Sequence, residues 1–94
     1  MRKREPKWLL ALYHYYHASI RGEWLSNEKM SRLMSGGYYA RNHLASNGDI
    51  TKRGIGHNYR DVTIEGSHFR LYRLKLDSLE QAAKILTAHG MMRD

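Results

Sequence analysis

The side chains best equipped for chemistry in this chain are six histidines and a set of tyrosine, arginine and asparagine residues around one glycine pair. His14 and His17 stand three apart, the spacing that puts two imidazoles on one helix face. A zinc site needs further ligands, and no cysteine or carboxylate lies within a turn of that pair. His57, His68 and His89 have no acid at a recognisable catalytic spacing, and nothing resembles a Ser-His-Asp arrangement. Gly54-Ile55-Gly56 is too short to read as a nucleotide-binding loop. These features point away from an enzyme, a metal site and a bound cofactor. The stretch "GGYYARNHL", residues 36 to 44, offers different chemistry. Arg41 suits the edge of guanine, Asn42 that of adenine, and the hydroxyls of Tyr38 and Tyr39 suit phosphates. Gly36 and Gly37 leave backbone N–H groups open to an anion at a helix start. An Arg-Asn pair on any surface helix has the same appearance, so residue types alone leave the ligand open.

A second basic group follows. Lys52, Arg53, His57, Asn58 and Arg60 surround the loop from Gly54 to Asn58. They suit contact with a nucleic-acid backbone or minor groove, or equally a solvated hairpin edge whose charges oppose aggregation. The balance of the whole chain leans the same way: sixteen Lys and Arg against nine Asp and Glu give a formal charge of +7. Such an excess is a footprint of polyanion binding, although basic domains that bind only proteins also exist.

Ninety-four residues make one domain with one modest core. The absence of cysteine excludes disulfide frameworks and thiol nucleophiles. No apolar run approaches the ~20 residues that span a bilayer, and WLLAL is too short for a secretory core. A cytoplasmic protein that makes no membrane contact is expected.

The positioning elements follow from hydrophobic periodicity. Met1 to Pro6 reads as a basic arm, and Lys7 to about Arg21 as a helix closed by Gly22. Leu9, Leu12, Tyr13, Tyr16 and Ile20 are expected to face its core, with Trp8 flanking and Tyr15 or His14 exposed. Ser26 is the expected cap of a second helix, with Leu25 and Met30 as a hydrophobic staple and Met30, Leu33 and Met34 buried. Tyr38 to about Ser46 reads as a third helix, with Ala40 and Leu44 inward and Asn47-Gly48 as a left-handed cap. From Ile50 onward the pattern turns to β-strands, and RDVTI and HFRLYRLK flank a turn at Glu65-Gly66-Ser67. Asp77 to Glu80 resembles a capping box that opens a last helix, with Leu79, Ala82, Ala83 and Leu86 inward and Gly90 at its end.

Three helices, two or three strands and a final helix define an α+β chain. Ser26 to Ile50 resembles the winged helix-turn-helix superfamily. Met30 and Leu33 match the inner face of the first helix of the motif, Gly36-Gly37 the turn, and Ala40 to Leu44 the core spacing of a recognition helix. The run Tyr-Ala-Arg is similar to the opening of that helix in small fimbrial-operon winged-helix regulators. The resemblance implies a helix-turn-helix over 26–47, wing strands over 49–75 and a C-terminal helix over 77–90. It implies sequence-specific binding of double-stranded DNA by a nucleoid-associated transcriptional regulator, acting as a homodimer through its first and last helices. Two other roles fit the same residues. One is a protein-binding adaptor whose partner meets the aromatic first helix at Tyr15 or His14. The other is an RNA-binding or ribosome-associated protein.

Overall fold

Pro6 starts the first helix because its ring fixes φ near the helical value while its carbonyl can still accept hydrogen bonds. It sits just before the helix at φ −62° and takes the Leu9 and Leu10 N–H groups at 3.1 and 3.2 Å. The computed structural model describes residues 6–34, 44 and 48–92. The basic arm before Pro6, the Gly36-Gly37 turn, Ala40, and the expected outer residues Tyr38, Tyr39, Arg41 and Asn42 lie outside the described residues.

Helix α1 is Lys7–Ile20. At its end Gly22 takes φ +74°, which an L side chain resists, and two reversed hydrogen bonds close the last turn. Gly22 N–H reaches Ser19 O at 3.0 Å and Glu23 N–H reaches Ala18 O at 2.8 Å. The buried stripe is Leu9, Ala11, Leu12, Tyr15, Ala18 and Ser19. This corrects two expectations. Tyr15 is wholly buried rather than exposed, and Ile20 is 53% exposed rather than inward. The cause is steric. Ala11 and Ala18, one helical turn to either side, leave room for the Tyr15 ring, while Tyr13 and Tyr16 lie half-buried at the margins. Among the described residues the Tyr15 hydroxyl has no hydrogen-bond partner, and burial followed by the nearby Tyr72 hydroxyl pushes its pKa far above the usual phenol value.

Strand β1, Leu25–Ser26, is a two-residue strand with no counterpart in the sequence reading. It leads into α2, Asn27–Leu33, where Ser26 caps as expected by accepting the Lys29 N–H at 3.1 Å. Leu25 and Met30 are both in the core, but Leu33 is 43% exposed, against expectation. Seven residues make barely two turns, so only the Met30 row of α2 meets the core. Leu44 is helical and fully buried, as its assigned inner position requires.

Asp49–Lys52 forms a short helix, α3, and not the first wing strand. Gly48 stands at its N-cap with φ −81° and ψ 144°, so it is no left-handed cap. The segment carries its own start and stop signals. Asp49 opens the first turn, where negative charge is favoured, and Gly54 at φ +82° ends it. Ile50 is fully buried on that turn. The Thr51 hydroxyl donates to the Leu44 carbonyl, tying α3 to that buried residue.

Strands β2, His57–Ile64, and β3, Ser67–Leu74, form the expected hairpin, with His57 and Asn58 inside the strand rather than in a loop. Its tip is Glu65-Gly66, which join the Ile64–Ser67 pair. Both tip residues have positive φ, 51° and 82°, the geometry whose twist matches a tight hairpin. Strand β1 adds antiparallel to β3, giving a three-stranded sheet in the order β1-β3-β2. Leu25, Tyr72 and Leu74 put one face of its base into the core against α1. Ser19 fastens the two layers: its hydroxyl donates to Tyr15 O at 2.6 Å and accepts the Leu74 N–H at 3.0 Å.

The last helix, α4, is Leu79–Ala88, preceded by a 3-10 turn at Leu76–Ser78. The expected capping box from Asp77 is not used. Ser78 stands at the N-cap position, and its hydroxyl accepts the Gly56 N–H at 2.7 Å, anchoring the helix start to the loop before β2. Ala82 and Leu86 are buried in the shared core, whereas Ala83 is half-buried. A homodimer through the first and last helices would therefore use their outer faces. Among the described residues no helix is long and apolar enough to cross a membrane.

Candidate nucleic-acid interface

The alternation of a strand sorts the hairpin into two faces. His57, Tyr59, Asp61 and Thr63 share the core-side face with Leu74, Tyr72, Arg70 and His68. The outer face carries Asn58, Arg60, Val62 and Ile64 opposite Arg73, Leu71, Phe69 and Ser67. On the core-side face the charge is matched. Arg70 donates to both carboxylate oxygens of Asp61, Nε at 2.8 Å and Nη2 at 3.2 Å. That contact holds the Asp61 carboxyl below its usual pKa and raises that of Arg70.

The outer face has no such match: none of its eight strand residues is acidic. Trp24, one residue before β1, stands beside Arg73 because Leu25 pairs with Tyr72. The Arg73 guanidinium lies 4.3 Å from the indole centroid and that of Arg60 5.0 Å. Both distances fall within the ~6 Å reach of a cation–π attraction. Among the described residues neither arginine makes an ion pair, and both are held beside one half-buried ring. Half-buried Val62, Phe69 and Leu71 continue this face toward the tip.

The sequence-selected basic residues do not converge. Lys52 is exposed at the end of α3. Arg53 is held there: its guanidinium lies 3.6 Å over the Trp8 ring and its Nη1 donates to Asp49 O at 2.7 Å. His57 points to the core side beside Tyr72, half-buried, with ring centroids 6.3 Å apart. Burial first, and then the Lys75 charge, lower its pKa below the usual imidazole value. Asn58 is exposed at the head of a shallow groove shared with Arg73, Lys75 and Asp77. Arg60 alone joins the arginine–tryptophan cluster. Comparison of the chain with models of known protein families, with curated proteins and with solved structures finds no match.

Sequence reasoning missed Trp24 and Arg73 as partners of Arg60. A signal was present: once RDVTI and HFRLYRLK pair through Glu65-Gly66, Arg73 falls on the Arg60 face. Placing Trp24 there also needed β1, whose two residues carry no periodicity. Among the described residues no group of three His, Asp or Glu side chains could hold a metal ion.

Proposed function

We propose that this chain is a winged-helix protein that binds double-stranded DNA and serves as a transcriptional regulator. The observation that carries the reading is the order of the sheet. A strand between the first two helices pairs with the far strand of a hairpin that follows the Leu44 helix. In a winged helix the same order sets a recognition helix beside its wing. In this reading α2 and the helix containing Leu44 form the helix-turn-helix, and β2–β3 is the wing. The charge of +7 and the unmatched Arg60 and Arg73 supply the backbone-binding component. Arg41 and Asn42 are assigned to the groove by their residue types, and Tyr38, Tyr39, Lys52, Asn58 and Arg60 to the backbone. Arg53 and His57 are assigned supporting positions, for the reasons of geometry given above.

The adaptor reading loses one anchor, since Tyr15 lies in the core. The test is a fluorescence-anisotropy titration against duplex DNA, single-stranded DNA and duplex RNA over a range of salt. Duplex DNA is expected to bind best, with log affinity falling linearly with log salt. The double change Arg60→Ala and Arg73→Ala is expected to reduce that slope by about two, one for each lost phosphate contact. No affinity for duplex DNA at low salt overturns the reading, and preference for RNA replaces it with the RNA-binding role.

A further inference from the structure

A shallow, open depression of about 420 Å³ lies between the start of α1, the end of α3 and the outer side of α4. Its volume lies in the range of small-molecule sites, ~300–1,000 Å³. Trp8, Ile85 and Ala88 give it an apolar wall, and Arg53, Lys84 and His89 stand around that wall. Among the described residues no carboxylate lines it. We propose that this depression binds a small aromatic carboxylate, its ring against Trp8 and Ile85 and its carboxylate on Arg53 and Lys84. This proposal stands apart from the nucleic-acid reading and survives the failure of that reading.

The cations are arranged rather than scattered. Arg53 is fixed from two sides, by the Trp8 ring at 3.6 Å and by the Asp49 carbonyl at 2.7 Å on Nη1. The Nε–Nη2 edge makes no hydrogen bond among the described residues, and this edge matches the two oxygens of a carboxylate. Pre-orientation of the guanidinium lowers the entropy lost when an anion binds. His89 is also fixed. Its Nδ1 lies 3.0 Å from the Ile85 carbonyl, which can only accept, so that nitrogen carries the proton and Nε2 is left for other contacts. The His89 ring meets Trp8 edge-on at 5.6 Å, a second side chain in contact with the indole beside Arg53. Lys84, exposed on α4, supplies a second cation at the end of a four-carbon stem.

An inorganic anion would use only the cations, and a neutral aromatic only the wall. The combination selects a molecule that carries both. The test uses the whole chain, isotope-labelled, and follows amide and indole N–H shifts during titration with sodium benzoate, benzamide and inorganic phosphate. Benzoate is expected to give saturable shifts at the Trp8 indole N–H, Ile85 and Ala88, and none at Trp24. Benzamide and phosphate are expected to bind at least about tenfold more weakly, the usual worth of one charge-assisted contact or of a buried ring. Lys84→Ala, on an exposed helical position, is expected to weaken benzoate several-fold with the free spectrum otherwise unchanged. Absence of saturation, equal binding of benzoate and benzamide, equal binding of phosphate, or matching shifts at Trp24 would each overturn the proposal.

Discussion

The two tryptophans of this protein use one kind of contact to opposite ends. Trp8 and Trp24 are both half-buried, and each carries arginine over its ring. At Trp8 the single guanidinium is close, 3.6 Å, and is gripped from behind by a backbone carbonyl. It lines a wide, shallow depression against α4. At Trp24 two guanidinium groups stand farther off, at 4.3 and 5.0 Å, on the flat outer face of a sheet. No hydrogen bond among the described residues holds either of those two in place. Cation–π attraction is nearly indifferent to the in-plane rotation of the guanidinium, whereas a hydrogen bond fixes it. The carbonyl therefore fixes Arg53 within the scaffold, while Arg60 and Arg73 keep their rotation about the ring. A fixed cation beside an apolar wall suits a small anion; cations free to rotate on a sheet face suit a polymer whose phosphates recur along its length.

The sharpest way to break this comparison is a crossed pair of substitutions. Trp24→Leu removes the ring that orients both Arg60 and Arg73. At about 0.5–1 kcal/mol for each exposed contact it is expected to weaken duplex DNA binding roughly five- to thirtyfold while leaving benzoate shifts intact. Trp8→Leu is expected to do the reverse in the same two titrations. Equal loss of DNA binding from both would show that the rings act only through the stability of the fold. A smaller effect separates the arginines themselves. Arg53→Gln loses a stack and a charged hydrogen bond, so urea unfolding is expected to show a loss of roughly 1 kcal/mol at unchanged m. Arg60→Gln is expected to cost less than about 0.5 kcal/mol in the same measurement, since an exposed, singly held charge adds little. The smallest effect comes from pH. Burial and like charge lower the pKa of His14, beside His17, and of His57, beside Lys75, from an ordinary value of 6.5. The unfolded chain therefore takes up protons first as pH falls below about 6.5, and stability declines until pH passes the folded pKa values. His57→Gln is expected to flatten that decline of Tm, and both arginine stacks keep their charge throughout.

Much of the frame was legible because it is written locally. Gly22, Gly90, Ser26 and the Glu65-Gly66 turn each announce a start or a stop through backbone geometry that one or two residues determine. The helix-1 stripe was legible only to within a rotation. Tyr13 and Tyr16 have the same spacing as the residues truly inside, and the decision for Tyr15 came from the small Ala11 and Ala18 around it. Ile50 misled for the opposite reason: a lone β-branched residue suggested a strand, although Asp49 and Gly54 bracket a helical turn. Of the candidate site, Arg60 was found by charge and neighbourhood. Arg73 required the strand register, and Trp24 required a two-residue strand that exists only because β3 is there to pair with it.

The Ser19 hydroxyl has a consequence for the order in which the chain folds. Helix α1 and the β2–β3 hairpin are both local, and such pieces form within about a microsecond and ten microseconds respectively. The Ser19–Leu74 contact spans 55 residues, so it carries a loop-closure entropy that neither local piece bears. Docking of the finished hairpin onto the finished helix is thus expected to be the slow, committing event. The side chain that completes it is one of the smallest in the core, and it bonds to both partners at once.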